Sequence, residues 1–108
     1  MPRASDLPDD TFWMVVDDEA GVPCIRLAGD VDLAALSRLR TVLRPLVTAA
    51  EPGRVTIDLD RVELLETVSA AFLAREQADA HARGVGLELR GAAGIARRLL
   101  ALAGARLP

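Results

Sequence analysis

The sequence has one cysteine and one histidine among 108 residues. With Cys24 alone, neither an intramolecular disulfide nor a cysteine metal cluster can form. With His81 alone, most enzyme templates fall away. A Cys24–His81 pair remains on paper, but Cys24 lies in an apolar stretch and reads as strand core. Lysine is absent, so all 13 basic residues are arginines. No apolar run approaches the roughly 18 to 20 residues of a membrane-spanning helix. The opening MPRASDLPDD is polar and acidic and shows no secretory pattern. These absences predict a soluble, cytoplasmic protein that does not insert into a membrane. Neither common phosphate-binding glycine loop is present, since Gly84-Val85-Gly86 precedes a strand and not a helix. No cofactor or metal is expected.

Apolar residues make up 51% of the chain, enough for one ordinary core. The net charge is -3, unevenly spread. Asp6, Asp9, Asp10, Asp17, Asp18 and Glu19 crowd the start, where only Arg3 opposes them. From residue 20 onward, ten acids face twelve arginines. That balance lacks the basic excess of a nucleic-acid binder. Residues 1–10, with Pro2 and Pro8, predict a loose tail, and 11–108 predict one domain.

Short segments alternate along that domain. Phe12 to Val16 predicts a strand, the 17–21 stretch DDEAG a turn, and Cys24 to Ala28 a second strand, antiparallel to the first. Gly29 breaks the pattern, and Asp30 or Asp32 can cap a helix. Leu36, Leu39, Leu43, Leu46 and Val47 then mark one helical face. In Arg54 to Asp60, Val55, Ile57 and Leu59 alternate with Thr56 and Asp58, as in a strand. Residues 62–66 lead into a second helix that starts near Thr67 or Val68. Its large apolar anchors are Phe72 and Leu73, and Arg83-Gly84 closes it. Val85 to Arg90 predicts a fourth strand. A third helix, about 92–103, carries Ile95, Leu99 and Leu102 on one face, with Gly104 as its C-terminal cap.

The order β-β-α-β-α-β-α predicts a small α/β sandwich. Its mostly parallel sheet has four or five strands and an antiparallel edge hairpin at the N-terminus. Sites in such sheets gather at the carboxyl ends of the parallel strands. Here those ends are Gly29–Asp32, the 60–69 segment and residues 90–94. Asp58 and Asp60 could form an acid–base or metal pair. The plainer reading is one strand residue and one turn residue. Thr67 is a hydroxyl at a helix N-terminus, and on pattern alone it reads as an N-cap.

Three stretches together resemble one family. Cys24-Ile25-Arg26-Leu27-Ala28-Gly29-Asp30-Val31-Asp32 resembles the second strand and the following turn of STAS domains, which include the bacterial anti-sigma factor antagonists. Val55-Thr56-Ile57-Asp58-Leu59, with Val62-Glu63-Leu64-Leu65, resembles the family's central strand and the approach to its regulatory loop. Residues 95–104 resemble its last helix. The resemblance spans about residues 12–106. It implies a non-catalytic regulatory domain in which the loop before the second helix is phosphorylated by a serine/threonine kinase that is also the anti-sigma factor. Carried over by position, Thr67 is the phosphoacceptor, with Ser69 as second choice. The partner-binding set is then Asp30, Asp32, Glu66, Thr67, Val68, Ser69 and Ala70. Glu66 stands where the family has Asp, Ser69 where it has Gly, and Ala70 where it has Leu. Two other roles stay open: a non-switching adaptor subunit in a larger lipid-transport or sensory assembly, and a small-molecule or nucleotide-binding module. Nothing in the sequence fixes the oligomeric state.

Overall fold

The structure is a computed structural model that describes residues 12–108, so the tail expected over 1–10 lies outside the described residues. Its elements are β1 (Phe12–Glu19), β2 (Val22–Val31), α1 (Leu33–Ala49), β3 (Gly53–Leu65), α2 (Thr67–Ala82), β4 (Val85–Arg90) and α3 (Gly94–Leu102). The described strands form one four-stranded sheet in the order β1-β2-β3-β4. β1 is antiparallel to β2, while β2, β3 and β4 are parallel. This is the expected α/β architecture with an antiparallel edge.

The first two strands run further than the apolar pattern indicates. Asp17, Asp18 and Glu19 continue β1 instead of starting a turn. Arg26 on β2 reaches Asp17 (3.4 Å) and Glu19 (2.9 Å), so the acids are held by the neighbouring strand. The turn shrinks to Ala20 and Gly21, both at positive φ (55° and 84°). Two such residues make the tight hairpin whose twist matches its strands. Gly29 and Asp30 do not end β2 either. They lie inside it, beside a shift in its register with β3. The cap of α1 is Asp32, whose carboxylate accepts the Ala35 N–H at 2.9 Å.

β3 is 13 residues long and absorbs residues 61–65, which carry no clean alternation. Those residues pair with Ala28–Val31 of β2. Asp60 is therefore a strand residue, not a turn residue. α3 corrects the sequence reading of its face. Ile95 and Leu102 are 73% and 79% exposed, whereas Leu100 is fully buried. Ala96 and Leu99 pack beside Leu100 against the core. A nine-residue helix is too short for periodicity to choose between adjacent stripes. Its end follows expectation: the Gly104 N–H bonds Ala101 O (3.0 Å) and the Ala105 N–H bonds Leu100 O (2.9 Å), the paired pattern of a glycine-terminated helix.

The core lies between the sheet and the helices. Phe12, Ile25, Leu27, Val55, Ile57, Leu59, Val85, Leu87 and Leu89 supply the strand side. Leu36, Leu39, Leu43, Val47, Leu73 and Leu100 supply the helix side. Because strand side chains alternate, residues between those core positions face the other way. They form an open face where each strand gives one member to an ion lattice. Arg26 and Arg90 both hold Asp58 (2.9 and 3.4 Å) and both hold Glu19 (2.9 and 2.6 Å).

Candidate functional site

Two parallel strands end side by side, with Val31 of β2 opposite Leu65 of β3. Both residues are buried. Each strand turns into a helix through one extended residue: Asp32 (ψ -172°) before α1 and Glu66 (ψ 158°) before α2. β4 stops earlier, its last pair being Asp58 with Arg90. Its exit crosses β3 closely at Gly91, where a Cβ would lie 2.9 Å from the Asp60 backbone nitrogen. At φ +85°, glycine alone fits that crossing without strain.

Thr67 is not the N-cap. It is the first residue of α2, the cap position belongs to Glu66, and the Glu66 carboxylate makes no cap hydrogen bond among the described residues. A cap acceptor must curl back to the third N–H, and Glu is one methylene longer than the residues that do this well. Among the described residues, the first N–H groups of α2 therefore have no side-chain cap from Glu66. Thr67, Glu66 and Val68 are all exposed.

Ser69 and Ala70 lie beneath that surface. Ser69 is fully buried, and its hydroxyl donates to the Val31 carbonyl at 2.5 Å. That bond ties the first turn of α2 to the last residue of β2. Ala70 is also buried. Asp30 is half-buried within β2, and Asp32 is engaged as the α1 cap. The structure thus brings the sequence candidates to one end of the sheet but splits them into an exposed layer and a buried one. It adds two residues that sequence reasoning missed. Leu33 and Leu64 are 68% and 52% exposed at that end. The only sequence signal for Leu33 is an apolar residue directly after a helix cap.

The remaining candidates lie elsewhere. Asp58 is taken up by Arg26 and Arg90, and its other oxygen accepts the Asp60 N–H at 2.9 Å. No metal-binding group of His, Cys, Asp and Glu occurs among the described residues. Cys24 is buried on the open-face side, its sulfur 3.8 Å from an Arg90 nitrogen, and burial pushes its thiol pKa up. His81 is exposed in the last turn of α2. The hydrogen bonds from Arg90 and Arg26 hold Glu19 below its ordinary pKa.

Two comparisons agree with this geometry. Residues 14–106 match the family described as Mlab, STAS domain. The chain belongs to the STAS domain family. The crystal structure of an anti-sigma factor antagonist from Mycobacterium paratuberculosis is similar to it, with a TM-score of 0.67 and 27% sequence identity. That likeness covers 91% of this chain and 86% of the antagonist. No curated protein gave a significant match to the sequence. None of the described helices is long and apolar enough to cross a membrane.

Proposed function

We propose that this STAS domain is a cytoplasmic, non-catalytic anti-sigma factor antagonist. Its partner docks on the sheet end around Leu33, Leu64, Glu66, Thr67 and Val68, and phosphate on Thr67 undoes the docking. The observation that carries this reading is the position of Thr67. It is exposed, it opens α2, and among the described residues the cap residue before it makes no side-chain cap hydrogen bond. Support for the partner class comes from the antagonist of similar fold.

The chemistry follows from charge. An anti-sigma factor that is also a serine/threonine kinase passes the γ-phosphoryl group of ATP to the Thr67 hydroxyl, releasing ADP and a proton. The product carries about -1.5 to -2 charges at neutral pH. The N–H groups of the first turn and the helix dipole accommodate that anion within the domain. Leu33, Leu64 and Val68 are apolar, so burying a phosphate among them against a partner costs desolvation. Glu63 and Glu66 add like-charge repulsion. Ser69 fits the acceptor role less well, because its hydroxyl is buried and bonded to Val31.

Membership of the STAS domain family is equally compatible with a second reading, a constitutive adaptor subunit in a larger assembly. One experiment separates the two. The domain is loaded with its captured partner, Mg-ATP is added, and release and phosphosites are followed, the latter by mass spectrometry. The switch predicts phosphate on Thr67, release of the partner, at least tenfold weaker binding by Thr67→Glu, and no release from Thr67→Ala. A complex indifferent to ATP and to both substitutions sinks the switch and leaves the adaptor.

A further inference from the structure

Beside the second half of α2, away from Thr67, the edge of the sheet borders a hollow of about 540 Å³. That is the size of a small-molecule site. β4 is the outer strand here, paired on one side only, with β3. The Gly53 N–H donates to the Gly84 carbonyl at 3.4 Å, so by alternation Gly86 and Glu88 also turn their peptide groups to β3. Val85 and Leu87 therefore turn theirs outward, to the hollow that they line. One of those outward groups is taken: the Gln77 side-chain amide on α2 donates to the Leu87 carbonyl at 3.0 Å. The same amide donates to the Arg106 carbonyl (2.9 Å) and accepts the Arg106 N–H (2.7 Å). Gln77 thus stands where one peptide unit of a further strand would stand, with the segment after α3 as the far wall. The hollow is the remainder of that slot, and the N–H groups of Val85 and Leu87 face it.

Two arginines border it. Arg54 pairs with Gly86 across the strands, and a Cβ on Gly86 would lie 3.8 Å from the Arg54 Cγ. The arginine stem therefore passes beside a residue with no side chain and lines the hollow over the edge strand. Arg106 is fixed on the opposite wall by Gln77 and by Ala105 and Leu107, which pack inward on either side of it. Neither arginine forms an ion pair among the described residues. Glu88 is the acid of the lining, and Ala74 and Ala78 of α2 give it a small apolar floor. His81 adds an imidazole at the helix end. We propose that this hollow binds a small organic carboxylate. Two guanidiniums and one carboxylate leave a single positive charge, which matches a monoanion. Arg54, Arg106 and the outward N–H groups supply charge-assisted donors to its carboxylate. The carbon skeleton rests on Ala74 and Ala78, and a hydroxyl on it can donate to Glu88. Gln77 interrupts the slot, so a short molecule fits where a continuous peptide strand does not.

The test is a nitrogen-resolved NMR titration of the full chain at constant ionic strength. The probes are 4-hydroxybenzoate, its neutral counterpart 4-hydroxybenzyl alcohol, and inorganic phosphate. The expected result is saturable shifts from 4-hydroxybenzoate at the Val85 and Leu87 N–H groups and the Gln77 side-chain amide, with a millimolar Kd or tighter. The alcohol should produce none. Arg54 and Arg106 are both exposed, so Arg54→Ala and Arg106→Ala should each weaken binding at least fivefold without altering circular dichroism. Inorganic phosphate is mostly a dianion at pH 8 and should bind the parent more weakly than the monoanion does. Glu88→Gln should narrow that gap. Shifts that do not saturate overturn the proposal, as does equal binding of the neutral alcohol. So does binding that both arginine variants leave intact. Phosphate binding as tight as that of 4-hydroxybenzoate also overturns it, because a bare cationic surface would behave that way.

Discussion

The starts of α1 and α2 are the same structure built twice, with one difference. Each follows the end of a paired strand, Val31 opposite Leu65. Each has an extended acidic residue at the cap, Asp32 or Glu66. Each then exposes the first helical residue, Leu33 or Thr67. Asp32 closes its helix by accepting the Ala35 N–H, and Glu66 leaves its helix open. A single methylene decides which N-terminus is occupied from within the chain and which remains available to an anion from outside. The hydroxyl that opens α2 sits at the available one.

The largest effect that sharpens this contrast is expected at Ser69. Its hydroxyl is fully buried against the Val31 carbonyl, so it connects the two helix starts. Ser69→Ala removes the donor and should lower stability by about 1–3 kcal/mol, the usual consequence of unpairing a buried polar group. Ser69→Asp places a carboxylate against a carbonyl in the core and should cost more than about 3 kcal/mol. Urea unfolding checks both. Thr67→Asp, one turn-position outward, should change stability by less than about 0.5 kcal/mol. Equal tolerance at the two sites would show that the layers are not distinct.

That layering was not legible in the sequence, and the reason is physical. Val55, Ile57 and Leu59, and the β4 segment Val85–Arg90, announce themselves because one face of each strand is apolar. The leucine stripe of α1 does so for the same reason. Asp17 and Glu19 mislead, because acids in a strand look like a turn until Arg26 and Arg90 on other strands are seen to hold them. The same is true of 61–65, whose strand character comes from pairing with β2. At the site, the resemblance pointed to residues 66–70, and the structure places them just after the carboxyl end of β3. The burial of Ser69 and Ala70 depends on how α2 sits on β2, which no local pattern records. Whether Thr67 or Glu66 holds the cap position turns on one backbone angle.

The caps themselves give the next effects. Asp32→Ala should destabilise by about 1 kcal/mol, since a native N-cap acceptor is lost. Glu66→Asp should do the opposite. The shorter carboxylate can reach the Ser69 N–H as Asp32 reaches Ala35, and a gain of about 0.5–1 kcal/mol is expected. Thermal or urea unfolding of the two single variants measures both signs. Asp32→Glu completes the exchange and should resemble Asp32→Ala. If Glu66→Asp brings no gain, the N-terminus of α2 is already satisfied and the two helix starts do not differ in their caps.

The smallest effect lies at the far edge of the sheet and sets the pH at which the helix starts should be compared. Glu19 is held below its ordinary value of 4.5, chiefly by the hydrogen bond from Arg90 and then by that from Arg26. A carboxylate depressed in the folded state stabilises the fold when ionised in both states, above the unfolded value. The contribution fades as pH falls from about 4.5 through the lower folded value. Glu19 is exposed, so the effect is modest. In thermal unfolding, the difference between the parent and Glu19→Gln should be flat above about pH 5.5 and should shrink toward zero as the solution is acidified. A difference that grows on acidification would mean that the arginines do not favour the ionised form. With a flat upper limb, any change at Asp32 or Glu66 measured near pH 7 belongs to the caps, because the lattice is then constant.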